Sequence, residues 1–281
     1  MNPRSVLITG CSSGIGLTLA HGLKTRGYRV FATARKAEDV ARLAAVGFES
    51  LPLDLDASAS IRAAVEEVLR RTGGELYALI NNGAYGQPGA VEDLARDTLR
   101  RQFETNVFGT QELTNLVLPV MRARNEGRIV QVSSLLGIVC LAYRGAYNAS
   151  KFALEALSDT LRLELRDTRI FVSLIEPGPI KSRFRDNAYA AFKANIDVAR
   201  SAHREKYAAM IRRLEGHSGS LPFTLPADAV LAKVLHALEA SRPRIRYRVT
   251  VPAHLFAALK RLLPFSALDW VAAAVSDGGR R

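Results

Sequence analysis

Val6-Leu7-Ile8-Thr9-Gly10-Cys11-Ser12-Ser13-Gly14-Ile15-Gly16 is the stretch on which the reading of this chain turns. Val6-Leu7-Ile8 is a short β-branched apolar run, the pattern of a buried strand. An amphipathic stretch over residues 15–24 follows. Strand, glycine-rich turn and helix in that order can cradle a pyrophosphate. Gly10 makes the tight turn. Gly14 and Gly16 let phosphate approach the backbone and let the helix pack closely on the sheet. Free N–H groups at the helix start, around Ile15, favour negative charge, and Ser12 and Ser13 add hydroxyl donors. A Gly/Ser turn that merely caps a helix has the same composition, so the rest of the chain has to decide.

Working outward, a second strand spans residues 28–33 and runs into Ala34-Arg35-Lys36. A domain that binds NAD places Asp or Glu near this strand end, to hold the adenosine ribose hydroxyls. Here the position is Ala34, with two cations next. A carboxylate would repel a 2′-phosphate, whereas Arg35 can pair with it through a planar fork. NADP(H) is therefore the preferred cofactor, with NAD(H) as the alternative. Asp54 closes a third strand, residues 48–53. It either accepts from the adenine amino group or caps the helix that begins near Ser58.

Asn81-Asn82-Gly83-Ala84 follows an apolar strand at residues 77–80. Ser133-Ser134 ends another, at residues 128–132. Both segments fall at the carboxyl edge of a doubly wound sheet, where ligands bind. Tyr147 and Lys151 are four residues apart and share one helix face. Leu154, Leu157, Leu161 and Leu165 continue that helix as a separate apolar stripe. A tyrosine is a poor proton donor or acceptor near neutrality, its ordinary pKa being about 10. A neighbouring ammonium favours the phenolate. Ser134 can donate to a substrate carbonyl oxygen, where charge grows as hydride arrives.

These segments, with Asn106 and Pro177-Gly178, make the chain resemble a short-chain dehydrogenase/reductase of the original, roughly 250-residue type. The resemblance is strong over residues 6–184. It implies an α/β fold: a Rossmann-like doubly wound parallel sheet flanked by helices, in one domain with a C-terminal helical extension. Residues 1–130 would form the cofactor half, 131–250 the catalytic and substrate half, and 251–281 a basic amphipathic extension. By the same resemblance Ser134 orients the carbonyl and Tyr147 is the acid or base. Lys151 binds the nicotinamide ribose while lowering the tyrosine pKa, and Asn106 holds a water that links the lysine to solvent. Asn82, Gly83, Pro177, Gly178, Ile180 and Ser182 would complete the cofactor site, the last two at the carboxamide. Two departures occur. The usual Asn-Asn-Ala-Gly reads Asn-Asn-Gly-Ala, and a threonine common near the carboxamide is Ser182. Cys11-Ser12-Ser13, Arg144-Gly145-Ala146-Tyr147 and the stretch through Pro179-Ile180 resemble most the branch with NADP-dependent aldehyde and retinal reductases and 17β-hydroxysteroid and retinol dehydrogenases.

The 281-residue chain shows no linker, repeat or low-complexity tract, and 48% hydrophobic residues can fill a substantial core. Cys11 and Cys140 both fall near the expected site and suggest no disulfide. No Cys/His spacing suggests a metal. With no signal peptide or membrane span in the pattern, the expected setting is cytoplasmic. The net charge of +12 is uneven: residues 1–180 carry 21 Lys/Arg against 19 Asp/Glu, whereas residues 181–281 carry 18 against 8. Arg244, Arg246 and Arg248 alternate with Ile245, Tyr247 and Val249, the pattern of an edge strand guarded by charge. Residues 255–263 mix leucines with Lys260 and Arg261, and either pack on their own domain or meet a membrane surface peripherally. Nothing points to nucleic acid.

Residues 184–215 would form the lid this family places over substrate. Phe184, Tyr189, Phe192 and Tyr207, with Val139, Cys140 and Leu141, are candidate walls for a lipophilic carbonyl or alcohol. The leading expectation is an NADP(H)-dependent reductase of aldehydes or ketones, working as a homodimer or tetramer. The alternatives are a hydroxysteroid or retinol dehydrogenase running oxidatively, a non-catalytic NADP(H)-binding regulator, and a basic surface-binding protein.

Overall fold

A computed structural model describes residues 3–215 and 222–276. Seven strands form one parallel sheet: β1 (Ser5–Ile8), β2 (Arg29–Ala34), β3 (Glu49–Pro52), β4 (Ala78–Asn81), β5 (Gly127–Val132), β6 (Ile170–Glu176) and β7 (Arg246–Arg248). Their order is β3-β2-β1-β4-β5-β6-β7. The helices among the described residues are α1 (Gly14–Thr25), α2 (Ala37–Ala45), α3 (Ser58–Thr72), α4 (Arg96–Phe103), α5 (Thr110–Arg124), α6 (Gly145–Glu164), α7 (Phe184–Asn195), α8 (Arg204–Leu214), α9 (Asp228–Glu239), α10 (Val251–Leu262) and α11 (Phe265–Ser276).

Successive residues of a strand face opposite sides, and the two cores follow that rule. Val6, Ile8, Ala32, Ile80 and Val130 pack beneath Leu19 of α1 and Val230 and Val234 of α9. Leu7, Phe31, Leu79 and Ile129 pack beneath Ile61, Leu113, Val117 and Leu161, from α3, α5 and α6. Register fixes the alternation, with Leu7 opposite Phe31 and Leu79. Helices on both faces bury the strands twice over, which is why Val6-Leu7-Ile8 reads as an unbroken apolar run. Strand order reverses at β1, between β2 and β4. Crossovers leave the sheet in opposite directions there and open a crevice at the carboxyl ends.

Two expectations need correction here. The buried stripe of α6 is Leu154, Ser158 and Leu161, continued by Leu165 just past its end, and Leu157 is exposed. A spacing of four, three and four holds one helix face. Ser158 fits there because its hydroxyl donates to the Leu154 carbonyl at 2.7 Å. β7 is an edge strand, as its pattern suggested, but its cations are not a solvated guard. Arg246 turns inward to Glu155, Asp159 and Glu176, and Arg248 to Glu176. At the C-terminal end, Ala253, Phe256 and Leu268 of α10 and α11 pack on Leu135 and Val139. Among the described residues no helix is long and apolar enough to cross a membrane.

Candidate active site

The glycine loop is bent by backbone that side chains resist. Gly10 and Gly14 have φ of +71° and +55°, in the left-handed region. At Gly16 a Cβ would lie 2.2 Å from the Gly10 carbonyl oxygen. Thr9, which the sequence did not single out, stitches this loop to the end of β4. Its Oγ1 accepts from the N–H groups of Asn82 and Gly83 at 2.9 and 2.8 Å. Asn82 Nδ2 returns bonds to the carbonyls of Thr9 and Gly10 at 2.9 and 3.1 Å. Asn82 and Gly83 thus brace the cradle as well as line it.

The cradle opens into a cavity of about 670 Å³. Gly10, Ser12, Ser13, Gly14, Ile15, Asn82 and Gly83 line one part of it. Ser134, Tyr147, Lys151, Pro177, Gly178, Ile180 and Ser182 line another. Ser182 sits directly over the loop, so a Cβ on Gly14 would come within 2.9 Å of its Cβ. This is the bare backbone a dinucleotide pyrophosphate needs, and the residues fit such a group. Arg35 and Asp54 lie outside the cavity lining. Arg35 is exposed just past β2, and Asp54 is half-buried past β3. Asp54 does not cap α3. Its Oδ1 accepts from the Asp56 N–H at 3.2 Å, and the residue before the helix is Ala57, with no side-chain cap. A further cation borders the loop: Arg42 donates to the Ser12 carbonyl at 2.7 Å and pairs with Asp39.

At the other end, Tyr147 is buried in the cavity wall beside Ser134. Burial pushes the phenol up to about 12, and the Ser134 hydroxyl offsets this only in part. Ser134 Oγ also accepts from Leu136 N–H at 3.1 Å and so caps a 3-10 turn, Leu135–Gly137. Lys151 is buried one turn further along α6. Its ammonium donates to the Val132 carbonyl at 2.8 Å and stands 5.8 Å from the Tyr147 ring centre. Desolvation lowers Lys151 to about 8, with Glu155 opposing that shift. The expected depression of the tyrosine by the lysine is therefore not what this geometry gives. Burial dominates the shift, Ser134 is what opposes it, and the phenol stays protonated at neutral pH.

Asn106 lies in a π-helical turn, Glu104–Gly109, between α4 and α5. Such turns recur at functional sites. Asn106 is buried outside the cavity lining and clamps the Tyr85 peptide. Its Oδ1 accepts from Tyr85 N–H at 3.2 Å, and its Nδ2 donates to the Tyr85 carbonyl and to Ser150 Oγ, both at 3.0 Å. Ser133 lines the same cavity as Ser134 but is buried, with its hydroxyl beside Glu155. Behind Lys151, the buried carboxyls of Glu155 and Glu176 pair with half-buried Arg246 and Arg248 in a charged layer that sequence reading missed. Desolvation raises both carboxyls, Glu155 to about 7.

Of the candidate substrate walls, Phe184 and Leu141 line the cavity, and Phe184 lies 5.3 Å from the Tyr147 ring. Phe192 and Tyr207 are buried instead in a cluster with Ala90 and Leu94, and Tyr189 packs against it. Val139 is core, and Cys140 is exposed beside α11, away from the cavity. Cys11 is buried with its thiol on the Ile8 carbonyl, and burial pushes it up to about 12, which leaves it inert.

A family model described as short chain dehydrogenase matches residues 4–193. The chain belongs to the short-chain dehydrogenase family. It is an NAD(P)-dependent oxidoreductase. An uncharacterized oxidoreductase of Escherichia coli K12, YbbO, is 43% identical over 266 residues, 95% of this chain and 93% of that protein. Bovine retinol dehydrogenase 8 is 33% identical over 282 residues, covering 95% and 88% of the two chains. Among solved structures, a Burkholderia phymatum short-chain dehydrogenase/reductase in complex with NAD is 25% identical. It has a TM-score of 0.78 and covers 93% of this chain and 92% of its own.

Proposed function

We propose that this short-chain dehydrogenase is an NADP(H)-dependent reductase of lipophilic aldehydes or ketones, with Tyr147 as the proton donor. The observation that carries the reading is the convergence of Ser134, Tyr147 and Lys151 at one end of a cavity that begins at the glycine loop. Reduced nicotinamide supplies hydride when bound. Everything else falls to the chain. Ser134 donates to the carbonyl oxygen and orients it, Tyr147 gives its proton as negative charge grows there, and the Lys151 ammonium favours the phenolate left behind. Gly10, Ser12 to Gly16, Asn82 and Gly83 hold the pyrophosphate side. Pro177, Gly178, Ile180 and Ser182 hold the nicotinamide side. Asn106 keeps α6 in place through Ser150.

NADP(H) follows from Ala34 and Arg35 at the end of β2, with Arg42 as a second cation beside the loop. A lipophilic substrate follows from the apolar wall made by Leu136, Leu141, Phe184, Ala188, Met210 and Leu214. Phe108, Leu157 and Leu163 are large apolar side chains exposed on and beside α5 and α6. They support a homodimer or tetramer, which light scattering on the purified protein measures. Cofactor consumption tests the reaction. NADPH oxidation against long-chain aldehydes, retinal and ketosteroids should exceed NADH oxidation for at least one of them. Absence of turnover across the panel with either cofactor would overturn the proposal.

A further inference from the structure

Helix α10 has two apolar faces. Ala253, Phe256 and Ala257 are buried on one. Val251, Leu255, Ala258 and Leu262 form a second stripe, at spacings of four, three and four, and all four are exposed. Leu262 is 78% exposed and Phe265, which opens α11, is 82% exposed. Trp270 follows at 61%. Lys260 and Arg261 occupy the last turn of α10, with Lys260 Nζ 4.9 Å above the Phe152 ring of α6. Residues 251–276 contain one carboxylate, Asp269.

We propose that the α10–α11 hairpin docks on the surface of an anionic phospholipid bilayer. Leu262 and Phe265 at the turn, with Trp270, enter the boundary between headgroups and acyl chains, and Lys260 and Arg261 engage the phosphates. Two observations favour a bilayer over a second copy of the chain. The two most exposed apolar side chains, Leu262 and Phe265, sit at the turn between the helices, directly beside Lys260 and Arg261. Adjacent cations complement a negative surface, and residues 181–281 as a whole carry ten more cations than carboxylates. Tryptophan also suits the zone where one edge of the ring is wet. The proposal does not depend on the reaction assigned above. It does place the contact close to the site: α10 and α11 pack on Leu135 and Val139, next to Ser134. Leu141 and Tyr143 line both the active-site cavity and a second cavity of about 500 Å³ walled by α11.

Trp270 is the only tryptophan of the chain, so its emission reports on this face alone. The probe is a vesicle of equal parts phosphatidylcholine and phosphatidylglycerol at low salt. Emission should shift to the blue, brominated acyl chains should quench it, and the full-length protein should sediment with the vesicles. Lys260→Glu/Arg261→Glu should weaken binding by about 30-fold or more, the loss expected from two near-surface cations. Leu262→Asp/Phe265→Asp should abolish it. Both variants alter exposed positions and should retain their circular dichroism and their turnover of a water-soluble carbonyl. An unshifted emission with wild-type protein left in the supernatant would overturn the proposal. So would a wild-type oligomer that Leu262→Asp/Phe265→Asp dissociates without any lipid binding, which would assign the face to a second copy.

Discussion

Arg35 shows how much of the proposed cofactor choice rests on one side chain. It follows β2 with no carboxylate at the strand end, and it is exposed, as a residue awaiting a phosphate would be. Arg42 of α2 is tied to the Ser12 carbonyl and to Asp39, so it is oriented before any ligand arrives. Arg35→Asp exchanges attraction for repulsion at the 2′-phosphate while leaving the fold untouched. The ratio of kcat/KM for NADPH to that for NADH should fall by about 100-fold, the effect of roughly 2.7 kcal/mol. Steady-state kinetics with both cofactors measures it, and an unchanged ratio would remove Arg35 from the account. Arg35 was legible because it stands next to its strand. Arg42 was not, because its bond to Ser12 spans 30 residues and depends on how α2 packs.

Elements carry the site by bringing strand ends together, and the glycine loop is the clearest case. Its composition announced a tight turn, and Tyr147 and Lys151 announced a shared helix face, because both signals are local. The stitch between Thr9 and Asn82 spans 73 residues and follows from strand order, which composition does not reveal. The π-helical turn that aims Asn106 likewise has no local signature, although the residue was identified by resemblance. Gly16→Ala tests the loop as an element. The new Cβ would meet the Gly10 carbonyl, which is backbone and cannot swing aside. Cofactor affinity should drop by about tenfold or more as the loop shifts, some 1.4 kcal/mol, with thermal unfolding altered less. Titration of NADPH fluorescence checks this, and wild-type affinity would contradict a close-packed cradle.

At the scale of the whole molecule, the ion network behind Lys151 joins α6, β6 and β7. Arg246 reaches Glu155 across 91 residues of sequence, which is why an alternation of Arg and apolar residues looked like a guarded edge. The network has a cost that pH exposes. Desolvation raises Glu155 from 4.5 to about 7, with Glu176 adding to the shift and Ser133 and Arg246 opposing it. A carboxyl raised on folding stabilises most below its unfolded pKa. That contribution is lost as pH climbs from 4.5 to about 7. Glu155→Gln cannot ionise, so its stability relative to wild type should improve over this interval, by at most about 1.4 kcal/mol per pH unit. Urea midpoints measured across the interval give the comparison, and parallel profiles would mean that Glu155 does not titrate there. One turn before Lys151 on α6, Tyr147 is buried beside Ser134, where its proton is the one the proposed reduction needs. Tyr147→Phe removes it and keeps the ring against Phe184. The most direct measurement is single-turnover NADPH oxidation with a reactive aldehyde, alongside NADPH binding by fluorescence. The account predicts a rate lower by about 1,000-fold with NADPH affinity within about threefold of wild type. A correctly folded Tyr147→Phe enzyme that reduces the aldehyde at the wild-type rate would contradict it.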